Sequence, residues 1–197
     1  MRVAFGLKAH SGWAVLVVVG MQKDDYVIVD RRRVELVEEE WAKQPHHAAE
    51  SLEREAARDM VKRGVESAHK IALREMAAAA RRERERQNEI SACAVLMANP
   101  MPDWSVEEIL SAHFRLHKAE GVLFREALAR AATASGLELV TIPEKQLAEC
   151  AKSELGVPSN LLEERIVSLG RTVGPPWGKD QKDSALAAMI ALHRLRK

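Results

Sequence analysis

The chain has 197 residues, of which 47% are hydrophobic and 30% charged, and its formal net charge is +1. This length is sufficient to bury a core, and no stretch has the composition of a linker, so we expect a single domain over residues 1–197. A charge so close to neutral gives no general argument for a nucleic acid, a membrane or an acidic partner, and any basic surface must be local.

Cysteine content and the N-terminus exclude further classes of protein. Cys93 and Cys150 are too few for a disulfide scaffold, and neither has a metal ligand at short spacing. No apolar region near the N-terminus is followed by a small-residue cleavage site, and no apolar run is long enough to span a membrane. We therefore expect a cytoplasmic protein without a membrane partner.

Three strands are predicted at the start of the chain. Residues 2–7 and 13–19 are apolar and rich in β-branched side chains, while residues 26–37 begin apolar and then partly alternate. We predict a tight polar turn over residues 8–12 and another short turn before the third strand. Short connections between consecutive strands predict an antiparallel meander.

A long helical segment follows over residues 46–89. It lacks proline, is dominated by good helix formers and carries an apolar stripe near helical spacing. One uninterrupted helix of this extent would be roughly 60 Å long, which exceeds the width of such a domain. We therefore expect a break, with Gly64 as the weakest point, or an end that protrudes.

Strands and helices alternate after this segment. Residues 89–98 and 137–142 are apolar runs typical of buried strands in a parallel sheet. Between them we predict helices over residues 105–117 and 119–135, the first opening with the S-x-x-E pattern of a capping box.

The C-terminal part is predicted to be helical apart from one loop. We expect helices over residues 144–155 and 160–169, and a last helix from Lys179 onward. Residues 170–178 contain several glycines and prolines and should be irregular. Trp177 in this loop is a candidate either for stacking on a base or for anchoring the loop.

This order of elements predicts an α/β protein and resembles the RNase H-like fold, in which three antiparallel strands are followed by two parallel strands with helices on both faces; other α/β folds can have the same order. Three segments further resemble the RuvC-type Holliday-junction resolvases. The family's opening hairpin is similar to residues 6–15 (GLKAHSGWAV). The family's stretch between the fourth and fifth strands is similar to residues 118–122 (KAEGV) together with residues 137–143 (LELVTIP). The family's last helix is similar to residues 179–187 (KDQKDSALA).

The resemblance implies a two-metal nuclease with carboxylates on the first strand, near the end of the fourth strand and on the last helix. Only Asp180 and Asp183 match, and they are the candidate catalytic and metal-binding residues for Mg²⁺ or Mn²⁺. The first-strand position is Lys8, and the fourth strand ends in residues 97–99 without an acid. We therefore expect conventional two-metal activity to be lost or altered.

The first turn and the last helix supply candidate binding residues. Lys8, His10 and Ser11 would present an ammonium, an imidazole and a hydroxyl to a phosphate, with Lys179 and Trp177 as further candidates. Alternatively, Lys8 forms a structural salt bridge with an aspartate of the last helix, and the other two residues only satisfy the turn.

Two histidines, His113 and His117, have the i, i+4 spacing that can bind a metal. No glutamate follows His113 in the manner of a metalloprotease, which favours a pair without a metal.

The sequence thus predicts an RNase H-like protein that associates with nucleic acid and lacks, or has altered, two-metal nuclease activity. The alternative is a protein-interaction or scaffold module whose long helix binds a protein partner or forms a homodimer.

Overall fold

The computed structural model describes residues 1–23 and 25–195. Within them, the strands form one mixed sheet in the order β3-β2-β1-β4-β5. These are β1 (Arg2–His10), β2 (Trp13–Gln22), β3 (Asp25–Glu35), β4 (Glu89–Met97) and β5 (Leu139–Pro143). β1, β2 and β3 pair antiparallel, whereas β4 pairs parallel with both β1 and β5. The prediction of three antiparallel strands followed by two parallel strands is confirmed.

Helices cover both faces of the sheet. The α-helices are α1 (Pro45–Ala49), α2 (Arg54–Glu85), α3 (Val106–Leu110), α4 (His113–Ala134), α5 (Leu147–Leu155), α6 (Ser159–Val173) and α7 (Lys179–Arg194). Short 3-10 helices occupy Glu40–Lys43 and Glu144–Gln146. α2 and α4 pack on one face, and α5, α6 and α7 pack on the other. None of the helices described is both long and apolar enough to cross a membrane.

The first hairpin is tighter than predicted. Lys8 and His10 belong to β1, which pairs with β2 up to His10 opposite Trp13, so the predicted polar turn over residues 8–12 was wrong. The reversal itself uses Ser11 and Gly12, and the positive φ of 82° at Gly12 suits glycine. Polar residues at alternate positions therefore marked one face of a strand rather than a turn.

The long helical segment breaks before α2, not at Gly64. Residues 50–53 separate α1 from a continuous α2 of 32 residues. Gly64 is buried in α2, where a Cβ atom would overlap the ring of Pro45. Glycine at this position lets α1 pack closely on α2, so the residue serves a helix contact and not a break.

The apolar stripe of α2 is covered by this chain's own structure. Ala68, Ala72, Met76 and Ala79 belong to the core shared with α4 and the sheet. A partner that binds through the stripe would have to displace that core, and binding through the rest of α2 stays a prediction.

Two further boundaries differ from the predictions. The break between α3 and α4 falls at Ser111 and Ala112, so His113 and His117 both lie at the start of α4. The capping box of Ser105 and Glu108 is confirmed at the start of α3. α6 continues to Val173, and the irregular loop is therefore shorter than the predicted range of 170–178.

Candidate functional site

The strand β1 and the helix α7 come into close contact at Gly6. A Cβ atom there would overlap the backbone carbonyl oxygen of Ser184 and lie 2.9 Å from the backbone nitrogen of Ala188, so the contact requires glycine. Alternate residues of a strand face the same side of the sheet. Lys8 therefore follows Gly6 on the face covered by α7, beneath the first turns of that helix.

Lys8 lies at the centre of a group of carboxylates, which we call the Lys8 cluster. The Lys8 side chain is only 5% exposed. Its Nζ atom is 2.7 Å from Asp183, 3.1 Å from Asp180 and 3.1 Å from Glu144. An ammonium has three N–H donors and no acceptor, and here three carboxylates are available to accept them. The lysine is thus fully engaged within the protein.

The ionisation of the Lys8 cluster follows from these contacts. Burial alone would lower the pKa of Lys8, but hydrogen bonds to the carboxylates outweigh this effect and raise the pKa above its ordinary value. Burial would raise the pKa of Glu144, but hydrogen bonds from Arg125 and Lys8 lower it below its ordinary value. A lysine that stays protonated has no lone pair, so it can act neither as a base nor as a nucleophile.

The residues of the Lys8 cluster do not fit a pair of divalent metal ions. Such a pair needs anionic oxygens shared between the ions. A Mg²⁺ or Mn²⁺ ion between Asp180 and Asp183 would have to displace the Lys8 ammonium that both carboxylates already contact. The predicted metal site at these two aspartates therefore faces a competing cation that is part of the chain.

The other predicted binding residues separate into two groups. His10 joins the Lys8 cluster, because its Nε2 atom lies 3.1 Å from Asp180 and its ring stacks on Trp13 at 4.2 Å between centroids. Lys179 also joins it, with Nζ 2.7 Å from Asp183. Ser11 instead lines a separate depression together with residues of the 3-10 helix that follows β3.

Trp177 anchors the loop that precedes α7. Its indole N–H donates to the carbonyl oxygen of Ile166 at 3.0 Å, and its ring packs against the backbone at Gly170. Arg31 holds the same loop by donating to the carbonyl oxygen of Gly174 at 2.8 Å. The ring is thus committed to the loop, and stacking of Trp177 on a base stays a prediction.

A cleft of about 560 Å³ opens beside the Lys8 cluster. Besides Glu144, it is lined by four cationic side chains and by Asn99, which lies two residues after β4. The cations are Lys118, Arg125, Lys145 and Lys179. This local excess of positive charge suits a phosphate-bearing ligand, although the whole chain is almost neutral.

Glu144 and Arg125 were not predicted from the sequence as site residues. Glu144 directly follows β5, and β1, β4 and β5 run parallel, so their carboxyl ends meet at one edge of the sheet. This topology was a usable signal for Glu144. No comparable signal identified Arg125, which lies within α4 and reaches Glu144 at 2.9 Å.

No protein-family model matches the chain, and no curated protein matches it. Its structure is similar to T. thermophilus RuvC in complex with a Holliday junction substrate, with a TM-score of 0.53, 14% identity, and coverage of 100% of this chain and 96% of that chain. A structure of Thermus thermophilus RuvC gives a TM-score of 0.50 with 15% identity, covering 98% and 95% of the two chains. At such identities the likeness shows the fold alone, and the predicted RNase H-like fold is confirmed.

Proposed function

We propose that the chain binds branched DNA along the cationic cleft and does not cleave it by two-metal chemistry. The observation that carries the proposal is the position of Lys8, whose ammonium contacts the carboxylates of Asp180, Asp183 and Glu144. The fold is shared with a resolvase whose structure contains a Holliday junction, which supports branched DNA as the ligand.

The loss of two-metal cleavage rests on charge and geometry together. A nuclease metal pair brings concentrated positive charge to the phosphate that is attacked and activates a water molecule. The Lys8 ammonium carries one charge, has no coordination sphere for water and is already satisfied by carboxylates. It therefore neutralises the carboxylates without supplying either function.

Binding without cleavage is supported by the cations of the cleft. Lys145 is exposed at its edge, and the side chain of Lys179 is 78% exposed while its Nζ atom contacts Asp183. Exposed lysines can contact backbone phosphates of any sequence, which is the main source of affinity in DNA binding. Recognition would then depend on the shape of the DNA more than on its bases.

The experiment uses a labelled four-way junction and a linear duplex of the same length. We expect the chain to bind the junction more tightly than the duplex, and to leave both uncut in the presence of Mg²⁺ or Mn²⁺. Binding is measured by electrophoretic mobility shift at two salt concentrations, and cleavage by denaturing gel electrophoresis.

Each half of the proposal has its own contradicting result. Metal-dependent cleavage that disappears in Asp183→Ala would show that the Lys8 cluster retains nuclease chemistry. A chain that binds neither substrate at low salt would overturn the proposed DNA binding, whatever the result of the cleavage assay.

A further inference from the structure

Three histidines meet where α1 packs against the start of α4. His47 lies on α1, and His113 and His117 lie one turn apart on α4. One ligand atom from each of the three lies within 4.8 Å of the others. The Nε2 atoms of His113 and His117 are 2.9 Å apart, and the ring of His47 is centred 5.0 Å from that of His117.

The buried carboxylate of Glu120 holds His47 in this position. Its side chain is 4% exposed, and its Oε1 atom accepts hydrogen bonds from the backbone N–H groups of His46, at 2.7 Å, and His47, at 3.2 Å. The same oxygen lies 3.3 Å from Nδ1 of His46 and 3.5 Å from Nδ1 of His47, and neither ring nitrogen has a hydrogen-bond partner among the residues described. The second oxygen, Oε2, has no hydrogen-bond partner among the residues described.

This arrangement resembles the surroundings of a metal-binding imidazole. A histidine that binds a metal usually turns its other ring nitrogen towards a carboxylate, which fixes the ring and makes it a better donor. With Nδ1 of His47 beside Glu120, the Nε2 atom is the one left for a metal. Burying a carboxylate is costly, and a nearby cation offsets part of that cost.

The donor set selects the type of metal. Three imidazoles suit Zn²⁺ and neighbouring transition metals, whereas Mg²⁺ and Ca²⁺ prefer oxygen ligands. In a tetrahedral zinc site with bonds of about 2.0–2.1 Å, the ligand nitrogens are about 3.3 Å apart, so His113 and His117 need to separate by only a few tenths of an ångström. Both are exposed, which leaves a fourth position open to water or another oxygen ligand.

We propose that His47, His113 and His117 form a zinc-type metal site that links α1 to α4. The site adjoins the cationic cleft, because His117 also lines that cleft. It is separate from the Lys8 cluster in both its residues and its chemistry, and it does not depend on the proposed DNA binding.

The test measures metal binding directly. The purified chain is freed of metal with a chelator and titrated with Zn²⁺ in a calorimeter, and Co²⁺ is used in parallel to report tetrahedral coordination by its visible absorption. We expect one Zn²⁺ per chain. Removing a residue that only supports a metal-binding histidine weakens metal affinity by about 10–100-fold, and removing the histidine itself should weaken it at least as much. His117→Ala and His113→Ala should therefore each weaken Zn²⁺ binding by about 100-fold or more.

Two controls separate the site from general effects of histidine loss. His193→Ala removes a histidine from α7, far along the chain from these ligands, and should leave the affinity for Zn²⁺ unchanged. Glu120→Gln keeps the shape of the side chain and should weaken binding by about 10–100-fold. Circular dichroism checks that each variant is folded.

The results divide clearly. One equivalent of Zn²⁺ that is lost in both α4 variants and kept in His193→Ala supports the site. If Zn²⁺ does not bind at micromolar concentrations, or if His117→Ala binds it as well as the unchanged chain, the three histidines are only a group of imidazole rings in contact and the proposal is overturned.

Discussion

A lysine among carboxylates differs from a metal ion in one decisive respect: it cannot dissociate. Lys8 neutralises Asp180, Asp183 and Glu144 at every metal concentration, because its ammonium is attached to β1. Carboxylates this close to one another repel when no cation lies between them. With Lys8 present, the stability of the Lys8 cluster should therefore not depend on divalent ions. Without Lys8, it should.

Replacing Lys8 tests this dependence. Lys8→Met keeps an unbranched side chain of similar length and removes the charge, which leaves three partly exposed carboxylates without the one cation that they share. Breaking a fully buried ion pair costs about 3–5 kcal/mol of unfolding free energy, and the partial exposure of these carboxylates should make the loss smaller than that. We expect added Mn²⁺ to restore part of that loss, since the carboxylates can then share a metal ion. Urea unfolding with and without Mn²⁺ measures both effects.

Lys179→Met is the matched control for this experiment. Lys179 contacts the same Asp183 but is 78% exposed, so its loss should cost less than about 1 kcal/mol. Mn²⁺ should leave the unfolding free energy of this control unchanged. An equal stabilisation of the unchanged chain and of Lys8→Met by Mn²⁺ would contradict the role given to the Lys8 ammonium.

At the scale of elements, the sequence predicted which segments are strands and helices better than where they end. β-branched runs and helix formers identified the sheet and α2, because these preferences are local. The turn over residues 8–12 and the break at Gly64 were wrong because tertiary contacts decide both positions. Lys8 is a charged residue that can be buried in a strand because carboxylates contact its ammonium, and Gly64 is needed for the contact with Pro45.

The contact between β1 and α7 is the element-scale feature on which the Lys8 cluster depends. Gly6→Ala places a methyl group into the backbone of α7 at Ser184, and α7 must move away. Overpacking of this kind costs about 1–3 kcal/mol or more. Because Asp180 and Asp183 lie on α7, their contacts with Lys8 should loosen as well. Urea unfolding measures the loss of stability.

Gly121→Ala provides the opposite expectation at a helical glycine. Gly121 lies within α4, and a Cβ atom there would have no neighbour within 4 Å. Alanine is favoured over glycine in a helix interior by about 1 kcal/mol, so this variant should be more stable than the unchanged chain. If Gly6→Ala and Gly121→Ala had equal effects, the close contact at Gly6 would not be what positions α7.

At the scale of the whole molecule, the net charge gave no indication of the positively charged cleft that we propose binds DNA. The formal net charge of +1 is an average over the chain, whereas Lys118, Arg125, Lys145 and Lys179 line one cleft. The sequence predicted Lys8, Asp180 and Asp183 as site residues because a family resemblance singled them out. Arg125 and His47 could not be predicted in the same way, since only the packing of helices brings them to their partners.

The cationic cleft predicts a specific change in the salt dependence of DNA binding. Lys145→Gln removes an exposed charge at the cleft, and loss of one phosphate contact should reduce the slope of log affinity against log salt by about 1. Lys70→Gln removes an exposed lysine from α2 that does not line the cleft, and it should leave the slope unchanged. Fluorescence anisotropy with a labelled four-way junction across a salt series gives both slopes. Equal slopes for the two variants would mean that the junction does not bind through this cleft.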